Sequence, residues 1–230
     1  MSAMNTELAR FNMIEQQIRP WEVLDPVVLD LLATMRREDF VPAAYRALAF
    51  VDTQVPLLPG AQALQEGACM LEPKVEARLL QELRLQRHEK ALEIGTGSGF
   101  MAALLAHRAM HVHTLECKPE LARMAREALR RNGVLNATVH EVDAASGARG
   151  LPAEGPFDAI VLSGSVAEVP AALLEQLKPG GRLVAIVGNE PIMTARLFTR
   201  SGASAFVGRD LFDTVAPRLL GFAEPGRFSF

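Results

Sequence analysis

A glycine-rich turn at residues 93–99 offers the clearest chemistry in the sequence, because it can bring backbone amides close to a ligand. The turn has the sequence Glu-Ile-Gly-Thr-Gly-Ser-Gly and follows the apolar residues Ala91 and Leu92. The alanine- and leucine-rich segment 101–106 comes next and favours a helix. Glycines leave no side chain in the way, and amides at a helix N-terminus can bind a polar group. The order strand, turn and helix predicts the ligand-binding element of a doubly wound α/β fold.

The glycine spacing distinguishes between the ligands that such a turn can bind. A dinucleotide fingerprint would place its third glycine at position 100, which is Phe100 here. A phosphate-binding Walker loop would end in Gly-Lys-Ser/Thr, which this segment lacks. The turn instead resembles the first motif of S-adenosylmethionine (SAM)-dependent methyltransferases, whose loop holds the methionine end of the cofactor. For the motif taken alone, a turn that only joins a strand to a helix is the alternative.

Acidic residues at two predicted strand ends extend this motif. Residues 112–116 predict a strand that ends at Glu116, about 20 residues beyond the turn, where a carboxylate can accept from two ribose hydroxyls. An ordinary strand-end acid is the alternative for Glu116 taken alone. Residues 138–143 predict a strand that ends at Asp143, placed to accept from an adenine amino group. Both positions therefore fit a nucleoside without a 2′-phosphate.

Two later segments complete the pattern. Residues 157–163 predict a fourth strand, and residues 177–184 predict a helix end, a tight turn and a fifth strand. The Lys-Pro-Gly-Gly-Arg-Leu turn within the last segment recurs in SAM-dependent methyltransferases. Five features in this order indicate a SAM-binding domain. The residues expected to bind the cofactor are Glu93, Gly95, Thr96, Gly97, Gly99, Glu116, Cys117, Asp143 and Ala144, with Glu93 holding the amides of the loop and the cofactor's amino group.

The rest of the chain predicts the elements that position this turn. Residues 8–18 have helical spacing and are expected to end at Arg19-Pro20, because the residue before proline disfavours a helix. Asp25-Pro26 predicts a capped start for a second helix, which runs to about Arg37. Further expected elements are an extended segment at 45–59, helices at 74–85 and 119–131, a hairpin around Ser201-Gly202 and a strand or packing segment at 215–222. Residues 224–230 are expected to be mobile, with Phe228 and Phe230 able to contact the body or a neighbour.

Composition excludes several classes of function. A chain of 230 residues with 49% hydrophobic residues can form one sizeable α/β core. Its net charge of −3 indicates no basic face for nucleic acid. No run of about 18 apolar residues predicts a membrane span. Cys69 and Cys117 lie far apart without metal-ligand spacing, so we expect a reduced cytoplasmic protein without a metal site.

Three segments together resemble one methyltransferase family. Residues 13–20, 37–45 and 93–100 resemble protein-L-isoaspartate O-methyltransferases, and the likeness extends from about Met13 to Gly188. The resemblance implies a doubly wound, Rossmann-like α/β fold with a mostly parallel seven-stranded sheet, helices on both faces and an N-terminal helical lid. It also implies methylation of the free carboxylate of isoaspartyl residues in damaged proteins and peptides. We expect residues 1–73 to form a helical and substrate-loop segment and residues 74–230 to form the SAM-binding core.

The loop before residue 74 departs from that family. The family usually has Gly-Gln-Thr-Ile-Ser-x-Pro near the transferred methyl group, whereas residues 67–73 are Gly-Ala-Cys-Met-Leu-Glu-Pro. When the two are aligned on Pro73, Cys69 takes the threonine position, Leu71 takes the serine position and Met70 lies between them. If the serine hydroxyl stabilises the reacting carboxylate, its loss costs about 1–3 kcal/mol, a factor of roughly ten to a few hundred in rate.

This departure leaves the catalytic residues and the acceptor open. Ser163 or Ser165 could supply a replacement hydroxyl, although a role as turn residues is the more ordinary interpretation. The substrate-loop candidates are therefore Cys69, Met70 and Leu71, together with Ser163. The alternatives to an isoaspartyl acceptor are a more hydrophobic small molecule and a SAM-binding protein without catalysis. A homodimer is a further expectation.

Overall fold

A mixed sheet of seven strands forms the centre of the computed structural model, which describes residues 3–60 and 62–224. The short strands β1 (Val55–Pro56) and β2 (Cys69–Met70) form a separate antiparallel pair. The strands of the main sheet are β3 (Lys90–Ile94), β4 (His111–Glu116), β5 (Ala137–Glu141), β6 (Phe157–Val166), β7 (Leu177–Asn189), β8 (Ile192–Arg200) and β9 (Phe206–Thr214). The predicted seven-stranded, mostly parallel sheet is therefore confirmed.

The strand order places a topological switch beside the glycine turn. The order across the sheet is β5-β4-β3-β6-β7-β8-β9, with parallel pairing from β5 to β7. The chain moves outward in one direction from β3 to β5 and then returns to add β6 on the other side of β3. Ligands bind at the carboxyl ends of strands at such a reversal. The last two strands form the predicted antiparallel hairpin.

Eight α-helices within the described ranges accompany these strands. They are α1 (Ala3–Met13), α2 (Pro26–Thr34), α3 (Gln62–Gln65), α4 (Pro73–Leu83), α5 (Phe100–Arg108), α6 (Pro119–Arg131), α7 (Ala144–Arg149) and α8 (Ala171–Leu174). The Asp25 side chain accepts from Val27 N at the start of α2, as the cap prediction requires. That helix ends at Thr34 rather than near Arg37, which begins a separate 3-10 turn. None of these helices combines the length and the apolar content needed to cross a bilayer.

The expected helix end at Arg19-Pro20 is wrong. After α1, a π-helical turn covers Ile14–Ile18, and a 3-10 turn then continues over Arg19–Trp21. Arg19 keeps helical angles (φ −60°, ψ −42°) because Pro20 lies in the first turn of a new helical segment, where its missing amide is not needed. The helical path ends at Glu22, which has a left-handed φ of 59°.

Two loop predictions are also revised. The segment expected to be extended at 45–59 contains the predicted short strand β1, but a 3-10 helix occupies Ala43–Leu48. The apolar segment 215–222 is a packing segment, joined to β6 by a single bridge between Ser165 and Arg218. Phe228 and Phe230 lie outside the described residues.

The N-terminal helices pack onto α4. The side chain of Gln81 on α4 accepts from Leu24 N and Asp25 N at 2.8 and 2.9 Å. Arg78 on the same helix donates to Trp21 O at 2.9 Å. The predicted division of the chain at residue 73 stays a prediction.

Side chains of the parallel strands alternate between two apolar clusters. Ala91 on β3 and Val161 on β6 belong to a cluster that includes α2, α4 and α5. Their neighbours Leu92 and Leu162 belong to a second cluster, which includes α8. Successive strand residues point to opposite faces, so apolar material covers both faces of the sheet.

Three histidines cluster on β4 and β5. His113 Nδ1 lies 3.0 Å from His140 Nε2, and the ring centroids of His111 and His113 are 4.7 Å apart. Burial, followed by the charges of His111 and His140, lowers the pKa of His113 to about 4. Burial also lowers the pKa of His140. The charged groups facing the cluster are Lys90 on β3, Arg126 on α6 and Glu154 before β6.

Acid is expected to destabilise the folded protein through this cluster. The pKa of His113 is about 4 in the folded state and about 6.5 when unfolded, so the unfolded state binds the proton first. The contribution to stability is therefore complete above pH 6.5 and is lost as the pH falls toward 4. We expect His113→Gln to show a smaller fall in Tm than the wild type between pH 7 and about pH 5, measured by thermal unfolding. The exposed His88→Gln should keep the wild-type slope, and an unchanged slope in His113→Gln would contradict the prediction.

Candidate active site

The glycine turn lies at the carboxyl ends of β3 and β4. Gly95 N donates to Leu115 O on the neighbouring strand at 2.9 Å. Gly95 has a φ of 92°, and a Cβ at this position would lie 2.7 Å from Leu219 Cδ2. Gly99 has a φ of 84° at the start of α5, and a Cβ there would lie 3.3 Å from the Cα of Ala125. The left-handed backbone favours glycine at both positions, and at Gly99 the Ala125 backbone also leaves little room for a side chain.

The Glu116 carboxylate holds the turn in place from the end of β4. Its Oε2 accepts from Gly97 N at 2.8 Å, and its Oε1 accepts from Cys117 N and Lys118 N at 2.9 Å each. Burial raises the pKa of Glu116, although the three amide bonds act in the opposite direction. These bonds fix the carboxylate at a cavity wall, and its remaining lone pairs can accept from hydroxyl groups.

Glu93 lies beneath the turn. Its side chain is fully buried, and its carboxyl group accepts from Thr114 Oγ1 and Ser163 Oγ at 2.7 Å each. Burial raises the pKa of Glu93 to about 8, although both hydroxyl bonds lower it. The prediction that Glu93 holds the amides of the loop is wrong, because the sheet register places Glu93 opposite Thr114. The amide of Gly97 is bound by Glu116 instead.

A cavity opens beside the turn, at the carboxyl ends of β3 and β4. The predicted site residues that line it are Gly95, Gly97, Glu116, Cys117, Asp143, Ala144, Cys69 and Ser163. A smaller adjoining cavity is lined by Glu93, Thr96, Met70, Leu71, Glu76 and Met101, and shares Gly95, Gly97, Cys69 and Ser163 with the first. The structure therefore brings the predicted cofactor residues and the substrate loop together. Gly99 packs behind the turn against α6.

Several residues of the larger cavity have no assignment from the sequence. They are Glu66, Gly67, Ile94, Leu115, Lys118, Leu121, Val142, Gly147, Arg218, Leu219, Leu220 and Phe222. The apolar composition of residues 215–222 signals packing, but it does not show which surface they cover. The N-terminal helices are present as predicted, whereas the residues named as lining the two cavities come from position 66 onward.

Asp143 lies at the cavity rim rather than inside a strand. It follows β5 and caps α7, since Oδ1 accepts from Ser146 N at 2.9 Å and Oδ2 accepts from Ser146 Oγ at 2.7 Å. These bonds hold the pKa of Asp143 below its usual value. The side chain is exposed and ionised at neutral pH, and its contact with adenine stays a prediction.

The substrate loop presents no free hydroxyl to the smaller cavity. The Cys69 thiol points to Gln54 Oε1 at 3.9 Å, and burial raises its pKa to about 12, so it is not a reactive thiolate. Leu71 is buried, and its carbonyl accepts from Arg37 Nη2 at 2.8 Å. Met70 is also buried.

Ser163 and Ser165 are strand residues, so their interpretation as turn residues is wrong. Both lie on β6, which extends to Val166. Ser163 Oγ donates to Glu93, and Ser165 Oγ donates to Ala216 O at 2.7 Å. Each hydroxyl proton therefore already has an acceptor.

The donor set of the larger cavity fits SAM. Gly95 and Gly97 line the cavity without a side chain, and the nearby carboxylates of Glu116 and Asp143 suit a diol and amino groups. Its described cations, Lys118 and Arg218, are paired with Glu66 and Glu224 at 3.0 Å. Such a site suits a cofactor without phosphate groups.

Sequence comparisons identify the family. A family model described as protein-L-isoaspartate(D-aspartate) O-methyltransferase (PCMT) matches residues 9–215. A protein-L-isoaspartate O-methyltransferase of Myxococcus xanthus is 41% identical over 166 residues, which cover 72% of this chain and 74% of the relative. A protein-L-isoaspartate O-methyltransferase of Syntrophotalea carbinolica is 36% identical over 218 residues, which cover 95% of this chain and 96% of the relative.

Solved structures agree on the fold. A protein-L-isoaspartate O-methyltransferase superposes with a TM-score of 0.77 at 22% identity, over 96% of this chain and 66% of its own. A structure from Plasmodium falciparum is described as a putative protein of the same kind in complex with S-adenosyl-L-homocysteine. It superposes with a TM-score of 0.74 at 18% identity, over 94% of this chain and 98% of its own. With the family match over most of the chain, these findings show that the protein belongs to the protein-L-isoaspartate O-methyltransferase family of SAM-dependent methyltransferases.

Proposed function

We propose that the protein transfers a methyl group from SAM to the free carboxylate of isoaspartyl residues in damaged proteins and peptides. The observation that carries the proposal is the junction of two cavities at Gly95, Gly97, Cys69 and Ser163. One cavity has the carboxylates and the glycine turn for the cofactor, and the other is formed by the substrate loop. An acceptor in the second cavity lies directly beside the turn, and such proximity is the main requirement for group transfer between two bound molecules.

The chemistry requires orientation rather than proton transfer. SAM supplies a methyl group on a positively charged sulfur, and the carbon–sulfur electron pair stays on sulfur as the new oxygen–carbon bond forms. An acceptor carboxylate is ionised at neutral pH, so the chain needs no general base. Burial raises the pKa of the neighbouring Glu93 to about 8, which weakens its negative charge beside the acceptor. The chain contributes binding, orientation and the exclusion of water.

Transfer of labelled methyl from SAM to an isoaspartyl peptide tests the proposal, with the matched aspartyl peptide as control. Label on the isoaspartyl peptide alone is the expected result. Absence of label, with protein shown by titration to bind SAM, would overturn the assignment of the acceptor.

Leu71→Ser is expected to raise kcat/KM for the isoaspartyl peptide by about tenfold, because it adds a hydroxyl donor beside the acceptor. The change also removes a buried leucine, so the Tm should fall. Initial rates at saturating SAM provide the measurement. Leu71→Ala removes a similar volume without adding a hydroxyl and should show no gain in kcat/KM. An equal gain in both variants would mean that the added space, and not the hydroxyl, raises kcat/KM.

A more hydrophobic small-molecule acceptor is the second candidate function. Met70, Leu71 and Met101 line the smaller cavity and favour an apolar group. A turnover screen with varied carboxylates and phenols distinguishes this candidate from the first. SAM binding without turnover on any acceptor would indicate a non-catalytic binding protein.

We also propose a cytoplasmic location and, as a second expectation, a homodimer. The unpaired thiols of Cys69 and Cys117 support a reducing compartment. Sedimentation of the purified protein would test the dimer.

A further inference from the structure

Residues 215–222 form a strap across the larger cavity. The strap is attached to β6 through Ser165, whose amide donates to Pro217 O at 2.8 Å and whose carbonyl accepts from Leu219 N at 2.9 Å. Ser165 Oγ also donates to Ala216 O. These bonds place Arg218, between Pro217 and Leu219, at the cavity wall.

The strap also touches the substrate loop. A Cβ on Gly67 would lie 3.0 Å from Arg218 O, and Gln54 Nε2 lies 3.4 Å from both Val215 O and Glu72 Oε1. Arg218 therefore lies where the strap, the substrate loop and the end of β6 meet. Arg218 lines the larger cavity, which shares Cys69 and Ser163 with the smaller one.

The Arg218 guanidinium has three partners, and only one of them is charged. Nη1 lies 3.4 Å from Ser165 Oγ, and Nη2 donates to the Asn189 side chain. Nε pairs with Glu224 Oε1 at 3.0 Å, and the Glu224 side chain is 53% exposed. An exposed ion pair of this kind contributes little stability and can exchange one carboxylate for another.

A carboxylate acceptor has few other donors at this end of the cavity. The Ser163 side chain already donates to Glu93, and the Cys69 side chain already donates to Gln54. The side chain of Leu71 has no hydrogen-bond donor. The other described cation of the larger cavity, Lys118, follows Glu116 and pairs with Glu66. Of the two described cations that line the larger cavity, Arg218 is thus the one whose backbone lies against Gly67 of the substrate loop.

We propose that Arg218 binds the acceptor carboxylate and that Glu224 occupies the same guanidinium when no acceptor is bound. A planar guanidinium can donate two parallel hydrogen bonds to a carboxylate, which fixes the acceptor's orientation. This interaction replaces the hydroxyl that the family usually has at the position of Leu71. The proposal rests on the proposed function and names the residue that recognises its substrate.

The proposal is tested by substituting each residue of the Arg218–Glu224 ion pair in turn, because the two substitutions should change KM in opposite directions. Arg218→Gln is expected to raise KM for the isoaspartyl peptide by about tenfold to a hundredfold, because the acceptor loses its charged partner. Glu224→Gln is expected to lower the same KM by roughly twofold to fivefold, because it removes the competing carboxylate. If the ion pair only stabilised the strap, both substitutions would change KM in the same direction, and that result would overturn the proposal.

Three controls make the outcome specific. Arg218→Lys keeps the charge and should recover part of the loss in KM. Arg209→Gln on β9 breaks an ion pair with Glu82 away from both cavities and should leave KM unchanged. SAM affinity, measured by calorimetry, should stay within about threefold of the wild type in Arg218→Gln.

Direct binding separates failure of this proposal from failure of the proposed function. Calorimetric titration of the isoaspartyl peptide into protein saturated with S-adenosylhomocysteine should show weaker binding for Arg218→Gln and tighter binding for Glu224→Gln. Wild-type turnover with unchanged peptide affinity in both variants would overturn the role of Arg218 alone. A wild-type protein that neither binds nor methylates the peptide would overturn the proposed function, and the role of Arg218 with it.

Discussion

Arg37→Met is expected to destabilise the protein by about 3–5 kcal/mol, the usual cost of leaving a buried charge without its partner. Arg37 is 1% exposed and pairs through Nη1 with the buried Glu76. Its other nitrogens donate to Leu71 O at 2.8 Å and Ala49 O at 3.0 Å. Burial raises the pKa of Glu76 to about 7 even with Arg37 beside it. Without the guanidinium, the charged form of this buried carboxyl group has no counter-ion and becomes still less favourable.

Urea unfolding near neutral pH provides the measurement, with two comparison variants. Arg37→Met combined with Glu76→Gln should recover part of the loss, because the unpartnered carboxylate is gone. Arg19→Met removes an exposed pair with Glu15 and should change the free energy of unfolding by less than about 1 kcal/mol. A loss below about 1 kcal/mol for Arg37→Met would contradict the prediction.

Glu116→Ala is expected to weaken SAM binding by about 100-fold. The carboxylate both accepts from three amides of the turn region and faces the cavity in which the ribose is proposed to bind. Its removal loses the hydroxyl acceptor and releases Gly97 from its fixed position. Hydrogen bonds to a charged group contribute about 1.5–3 kcal/mol each, so one lost diol contact together with a looser turn accounts for this factor.

Calorimetric titration with SAM measures this effect. Glu116→Gln keeps one oxygen acceptor and should give an intermediate affinity. Glu120→Ala changes an exposed acid in the first turn of α6 and should leave the affinity unchanged. Affinity of Glu116→Ala within about threefold of the wild type would show that the carboxylate does not contact the cofactor.

Local patterns were sufficient to predict much of the fold and part of the cavity. The glycine turn, the Asp25 cap and the hairpin around Ser201-Gly202 each depend on a few neighbouring residues, and the structure contains all three. The strand-end position of Glu116 likewise follows from hydrophobic patterning alone. Such features are set by backbone geometry within one element, so they are visible in the sequence.

The partners of side chains could not be predicted in the same way. Whether Glu93 or Glu116 binds the turn amides depends on the register between β3 and β4, which places Thr114 opposite Glu93. The strand position of Ser163 depends on β6 continuing beside β7, where Ser165 pairs with Ile186. The continuation of the helical path through Pro20 likewise depends on a change from π to 3-10 geometry that no local pattern indicates.

The strap has a consequence for the order in which the cavity is completed during synthesis. Leu219 packs on Gly95 and Gly164, and Ser165, which accepts from the Leu219 amide, precedes it by more than 50 residues. The ribosome therefore makes the glycine turn, the whole sheet and the β8–β9 hairpin before it makes this wall of the cavity. A chain cut at residue 215 would retain all seven strands and lack Arg218, Leu219, Leu220 and Phe222. This wall of the cavity is therefore completed only after the whole sheet has been made.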